Sequence, residues 1–326
     1  MLGYSRRQFL LAASSIAAAG KWARRAAARQ SGTDQVAPHP TRPLPTITLG
    51  STGRTVPRLG LGTAPVARLE SEEQAIAILR RAFDLGVRYL DTAPSYSRGR
   101  SEKLIGLALE GYDRGEFFIA TKTLYRNGDE ARRELDGSLM RLKMEYVDSV
   151  QAHALSGDVD ALFGPEAVLK GLEKARAEGL IRHIGVTGHA NPKYMIDAIR
   201  RYPFATVLVP VNPLDVSYLS FTREFLPAAR ERKTPVIAMK VFADGSLLRD
   251  GLFTARQCLH YALSQDPVAV VVPGCDAIRH VEEAHAAVID FKPLTAEAQA
   301  ELEQHAGEAR GEKDEWYKER KKEKGD

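Results

Sequence analysis

The sequence predicts an α/β protein built as a closed (β/α)8 barrel of the TIM type, with an N-terminal β-hairpin and a C-terminal helical tail. Three observations predict it. Short apolar runs alternate with helix-length amphipathic stretches eight times, at roughly 30-residue spacing. The chain has 326 residues and 44% hydrophobic content, enough for one such domain and its core. Polar residues of reactive type stand where the apolar runs end, which is the mouth of a parallel barrel.

The first stretch is an address. Ser5, Arg6, Arg7, Gln8, Phe9 and Leu10 resemble the twin-arginine export motif, and an apolar run continues from Phe9 to Ala19. That run is too short for a permanent membrane span. Cleavage is expected after Ala19 or in the Ala26–Ala28 run. Residues 1–30 are therefore read as a signal peptide, the twin-arginine export machinery as a partner, and the destination as periplasmic or otherwise extracytoplasmic. Residues 31–45 are rich in Pro, Gly, Ser and Thr and read as a linker.

The formal charge of +4 overstates the body's basicity. Residues 1–30 hold six basic residues and no acid, which leaves 40 basic against 42 acidic residues beyond them. Such a balance gives no electrostatic footprint for nucleic acid. Cys258 and Cys275 are the only cysteines, too few and too isolated for a metal or iron–sulfur set. No histidine pair has zinc-like spacing with a third ligand nearby, so no metal site is expected.

The barrel is read as residues 46–307. Thr46–Leu49 and Thr55–Arg58 flank Gly50-Ser51-Thr52-Gly53 as a hairpin, and Leu59–Gly62 is the first barrel strand. A helix capped by Ser71 runs to Leu85. Strands follow at 88–91, 117–122, 146–153, 182–188, 206–212, 235–240 and 268–272. Helices lie between them, opening at Ser101 and over 129–142, 165–177, 192–201, 220–232, 254–264 and 277–289. A terminal helix covers 295–305. Residues 308–326 hold seven acids and seven bases, which predicts a solvated or frayed charged tail.

The chemistry sits at strand ends. Asp91 closes the second strand and Tyr96 stands on the loop beyond it, where Pro94 keeps a helix from starting. Lys122 closes the third strand, His153 the fourth, Lys240 the seventh. A phenol has a pKa near ~10, too high for an efficient acid at neutral pH. A nearby ammonium is expected to lower it. Lys122 supplies that ammonium, and Asp91 holds it charged and aimed. His153 can hydrogen-bond a carbonyl oxygen. Arg98 and Arg100 flank the tyrosine loop as surface residues or as an anion clamp, and His189 borders the pocket or faces solvent.

These residues resemble the aldo-keto reductases. The resemblance spans Thr46–Ile289 and rests on the LGLGT opening, DTAPSY with GRSEKLIG, the lysine of IATK, the histidine of QAH, and GVTGH. It implies catalytic roles for Tyr96, Lys122, Asp91 and His153, with hydride from a nicotinamide. NADP is the cofactor expected and NAD the alternative. The substrate is a small carbonyl compound or alcohol. No G-x-G-x-x-G follows a strand, so the dinucleotide belongs on the loops after strands seven and eight. Gly245 and Ser246 lie on the first loop, Gly274 and Cys275 on the second. By the resemblance, Thr187 and Gly188 face the carboxamide, with Asn212 near it. Lys240 stands where an aromatic often stacks. Arg279, His280 and Glu283 stand where the adenosine end is held. Pro210 replaces a common glutamine, and Asp276 would repel a 2′-phosphate. From another class, a redox-sensing or partner-binding module with little turnover remains an alternative.

Overall fold

The computed structural model describes residues 42–320, so the twin-arginine stretch and the last six residues lie outside the described residues. A hairpin opens the fold, β1 (Thr46–Thr48) against β2 (Thr55–Pro57), antiparallel with Ile47 opposite Val56. Eight parallel strands follow: β3 (Leu61–Gly62), β4 (Tyr89–Asp91), β5 (Phe118–Thr123), β6 (Val147–Ala152), β7 (Ile181–Thr187), β8 (Thr206–Pro210), β9 (Val236–Met239) and β10 (Val268–Val271). They pair in sequence order from β3 to β10. The ring closes because Gly60 and Gly62 donate backbone N–H bonds to Val271 and Pro273, at 2.9 and 3.0 Å. Arg58 reinforces this seam, donating to the carbonyls of Leu263, Val268 and Ala269.

Nine α-helices lie outside the ring among the described residues. They are α1 (Glu72–Asp84), α2 (Arg100–Ala108), α3 (Gly128–Leu142), α4 (Val168–Ala177), α5 (Pro192–Arg201), α6 (Leu226–Glu231), α7 (Ala255–Ser264), α8 (Ile278–Ile289) and α9 (Ala296–Ala309). Five of them start on a short polar residue whose side chain caps the first turn. The Ser71 hydroxyl accepts from Gln74 N–H, the Asn127 side chain from Asp129 and Glu130, and Thr254 forms a reciprocal box with Gln257. The single helix expected over 220–232 is instead a wider π turn, Phe221–Phe225, running into α6. The cause is local: the Asp215 carboxylate accepts from Phe221 and Thr222 N–H and draws the first turn open.

Alternation along the strands divides the core in two. On β5, Phe118 and Ala120 point into the barrel and Ile119 points out to the helices. The inner layer stacks Tyr89 on Phe118, centroids 5.1 Å apart, and Phe118 on His183, 6.1 Å apart. Leu49 and Val56 of the hairpin join that layer and plug the barrel's floor. The outer layer, including Leu79, Phe83 and Ile105, is fully enclosed between strands and helices. Each such side chain contributes about 1.5–3 kcal/mol. Among the described residues no helix is long and apolar enough to cross a membrane.

Candidate active site

The loop between β4 and α2 carries Tyr96, and four consecutive residues fix it. Gly99 has φ +84°, which favours glycine, and packs against the Arg141 side chain, 2.6 Å from Cδ for an added β-carbon. Arg100 donates to the carbonyls of Ala67, Leu69 and Glu70. Ser101, expected as a cap, is buried within the first turn; its hydroxyl bonds those of Thr63 and Thr92, at 2.7 and 2.8 Å. Gly99 occupies the cap position instead. Glu102 is fully buried, accepting from Thr121 and Arg141. The GRSE run thus ties the tyrosine loop to the ends of β3, β4 and β5. The sequence marked the run but not these duties.

Period two along β5 aims Lys122 inward beside Asp91 of β4. Lys122 Nζ donates to Asp91 Oδ2 and to the Thr92 carbonyl, both at 2.7 Å. It stands 4.8 Å from the centroid of the Tyr96 ring. Both partners of the ion pair are buried, so their attraction is little screened. The His153 ring meets the Tyr96 ring edge-on at 6.2 Å, and its Nδ1 is buried with no hydrogen-bond partner among the described residues. The predicted quartet of Asp91, Tyr96, Lys122 and His153 therefore shares one rim.

The electrostatics correct one expectation. Burial pushes the Tyr96 phenol above its ordinary pKa, outweighing the lowering by Lys122. Lys122 loses some basicity to burial, but Asp91 and Tyr96 together hold its pKa above the usual lysine value. Burial raises the Asp91 carboxyl against the pull of Lys122. Burial, assisted by Lys122, pushes His153 down to about 2. The site at neutral pH is thus a protonated phenol, a charged ammonium and a neutral imidazole. Such a set has a proton to give to an oxygen acceptor at neutral pH.

A cleft of about 460 Å³ runs from this rim. Asp91 and Tyr96 line one end. Lys240, Gly245, Gly274, Cys275, His280 and Glu283 line the rest, all named from sequence as cofactor residues. Gly245 has φ +90° and open space where a β-carbon would project, so its backbone is presented bare to the cleft. The other five cofactor candidates lie off the cleft wall. Thr187 and Gly188 are buried at the end of β7. Asn212 is buried and spends its side chain on Leu214, Asp215, the Lys240 carbonyl and the C-terminal segment. Ser246 is buried with its hydroxyl unpartnered among the described residues. Arg279 turns its guanidinium to His280, which in turn pairs with Asp276 at 2.7 Å. Among the described residues no cluster of side chains suits a metal ion. Both cysteines are buried free thiols.

The segment following α9 departs from the solvated tail expected. Lys318 is buried between Asp215 at 2.8 Å and Glu315 at 2.7 Å, and donates also to the carbonyls of Asp215 and Tyr218. The Tyr317 hydroxyl donates to Glu315, and the Tyr317 carbonyl meets His189 Nδ1 at 2.8 Å. Trp316 Nε1 donates to Asp244 Oδ2, and Lys240 holds the other carboxylate oxygen of Asp244 at 2.8 Å. The alternating charges of 312–320 read as a wet surface because their acidic partner, Asp215, is about a hundred residues upstream. His189 accordingly belongs to this junction. A separate depression of about 380 Å³ between 249–250 and 308–314 is lined by charges that pair with one another, such as Arg249 with Asp314.

Comparison with known proteins agrees with this geometry. The family model described as "Aldo/keto reductase family" matches residues 58–257. L-galactose dehydrogenase of Arabidopsis thaliana is 29% identical over 287 residues, covering 76% of this chain and 88% of that protein. D-threo-aldose 1-dehydrogenase of a Pseudomonas species is 31% identical over 63% of this chain and 73% of its own. An aldo-keto reductase from Bacillus halodurans in its holo form superposes with TM-score 0.70 at 24% identity, over 83% of this chain and 99% of that one. One from Klebsiella pneumoniae in complex with NADP and acetate gives TM-score 0.66 at 25% identity, over 80% and 95%. With the phenol–ammonium–carboxylate set at the mouth of an eight-stranded barrel, these likenesses show that the chain belongs to the aldo/keto reductase family and is an NAD(P)H-dependent oxidoreductase of carbonyls and alcohols.

Proposed function

We propose that this enzyme is an exported, NADP(H)-dependent reductase of small polar aldehydes and ketones. The observation that carries the reading is the sharing of one cleft by Tyr96 and the loops at 240–245 and 273–276. Two features support a nucleotide there: the wall offers the bare backbone of Gly245, and the size is within the roughly 300–1,000 Å³ usual for small-ligand pockets. Lys240, Gly245, Gly274, Cys275, His280 and Glu283 would hold it. When bound, it supplies the hydride. The chain's own residues do the rest. Tyr96 gives its proton to the carbonyl oxygen, leaving a phenolate that Lys122 neutralises. Asp91 keeps Lys122 charged and in place. The neutral imidazole of His153 orients the carbonyl. Together, proton transfer and positioning of this kind supply about 10²–10⁴-fold in rate.

NADP is proposed from the likeness to the Klebsiella pneumoniae structure that holds it. NAD is the second reading, favoured by Asp276 and Glu283, two carboxylates on the cleft wall. The substrate class follows relatives named for L-galactose, D-threo-aldose and methylglyoxal. Export rests on the twin-arginine stretch at 5–10 and the apolar run after it. The activity test is steady-state oxidation of NADPH and of NADH with 4-nitrobenzaldehyde, beside tryptophan quenching by each nucleotide. Absence of binding by either nucleotide would overturn the reading. For export, replacing Arg6 and Arg7 by lysine should retain the protein in the cytoplasmic fraction; unchanged distribution would refute the leader.

A further inference from the structure

Substrate reaches Tyr96 through the cleft, so the charges on that wall select which carbonyls arrive. Among the cations on that wall and those around Tyr96 and His153, nearly all are engaged. Lys122 is held by Asp91, and Lys240 by Asp244. Arg126 beside His153 is held by Asp158. Of the two residues the sequence offered as an anion clamp, Arg100 gives its guanidinium to three backbone carbonyls, and Arg98 is exposed but does not line the cleft. Arg68 is different. It lines the cleft with Tyr96 and Lys240, is solvent-exposed, and its guanidinium has no hydrogen-bond or ion-pair partner among the described residues. Its charge reaches both the Tyr96 phenol and the Asp244 carboxylate.

An exposed arginine on a loose loop would be an ordinary solvated side chain. Arg68 sits instead on a fastened turn, Val66–Arg68, whose Val66 and Ala67 are buried. Ala67 N–H bonds the Thr63 carbonyl at 3.1 Å, and Arg68 N–H that of Pro65 at 3.0 Å. Arg100 grips the carbonyls on either side, those of Ala67 and Leu69. Because Arg100 follows Tyr96 by four residues, the turn bearing Arg68 and the loop bearing the acid form one rigid unit. The backbone that carries the Arg68 side chain is thereby fixed beside Tyr96, and its unengaged guanidinium is a planar fork suited to carboxylate or phosphate.

We propose that Arg68 is the anion anchor of the substrate pocket, and that the enzyme's preferred substrates are carbonyl compounds carrying a carboxylate or phosphate group. This rests on the reductase reading above. It adds that Arg68, and no other cation of the cleft, recognises the part of the substrate that does not react.

The test uses the full chain, with 4-carboxybenzaldehyde against neutral 4-nitrobenzaldehyde, and glyceraldehyde 3-phosphate against glyceraldehyde. Arg68→Gln should raise KM for the anionic member of at least one pair by about tenfold or more, the loss expected of one charge-assisted contact. Its kcat, its KM for the neutral partners and its Kd for NADPH should move less than about twofold. Arg68→Lys should recover part of the loss, and the pair that responds tells carboxylate from phosphate. Equal loss on charged and neutral aldehydes, no loss on either, or weakened NADPH binding would each overturn the proposal; the last would assign Arg68 to the cofactor's phosphates. Turnover of the neutral aldehydes by the unaltered enzyme tests the reductase reading separately.

Discussion

Replacing Lys122 by methionine should separate its two duties, and the size of each follows from the buried pair. Lys122 Nζ is the only donor to Asp91 Oδ2 among the described residues, and Oδ1 already lacks one. Lys122→Met therefore strands a carboxylate that is 4% exposed. Leaving one member of a buried pair uncompensated costs about 3–5 kcal/mol. Asp91→Asn should cost a similar amount by stranding the ammonium. The double variant removes both charges and should cost only about 1–3 kcal/mol, the desolvation of the leftover amide. The singles thus sum to far more than the double. The deficit of Lys122→Met should also depend on pH. Burial raises the Asp91 pKa even in the intact pair. Without the ammonium it rises further above the unfolded value of about 3.9, so the native state binds more protons across that window. Stability of Lys122→Met should therefore be greatest near pH 4 and fall as pH rises through the folded pKa. Urea unfolding followed by circular dichroism measures all three variants, and NADPH oxidation confirms that none turns over. A Lys122→Met protein within about 1 kcal/mol of the unaltered enzyme, or a double variant no more stable than that single, would refute the account.

Four further outcomes follow. Tyr96→Phe should lose about 10²–10⁴ in kcat while its affinity for NADPH stays within a few-fold, measured by turnover and fluorescence titration. Because burial raises the Tyr96 pKa above its ordinary value, carbonyl reduction should be flat through neutral pH and decline only in alkaline buffer, whereas alcohol oxidation, which needs the phenolate, should climb with pH. His153, pushed down to about 2, should contribute no inflection to either pH–rate profile. Lys318→Met leaves Asp215 and Glu315 facing each other unneutralised; it should cost about 3–5 kcal/mol locally and shift Trp316 emission as the segment loosens, seen by fluorescence and by proteolysis near 310–320.

The parts of the molecule legible in its sequence are those set by local pattern. Eight strand–helix repeats gave the ring, and Ser71, Thr254 and Thr295 gave their helix starts, because caps act within one turn. That Asp91, Lys122 and His153 share a rim was legible because a strand end is a place that sequence marks: each closes an apolar run. What escaped depends on distant partners. Ser101 looked like a cap because nothing local reveals Thr63 and Thr92 waiting for its hydroxyl. Lys318 looked like one more tail charge until Asp215 and Glu315 surrounded it. The phenol's pKa went the other way because the reading counted the ammonium and not the loss of water around the ring.

The Arg58 seam has a kinetic consequence. Its bonds to Leu263, Val268 and Ala269 join residues 205 to 211 apart in the chain, whereas each other strand meets a neighbour that follows it closely. Loop-closure entropy makes so distant a union the last to form. Until then the folding chain is a curled, unclosed sheet with two bare edges, the state most prone to pair with another copy of itself. Clipping the guanidinium, as in Arg58→Ala, should therefore show first in refolding yield at high protein concentration, ahead of any change in the finished enzyme's rate.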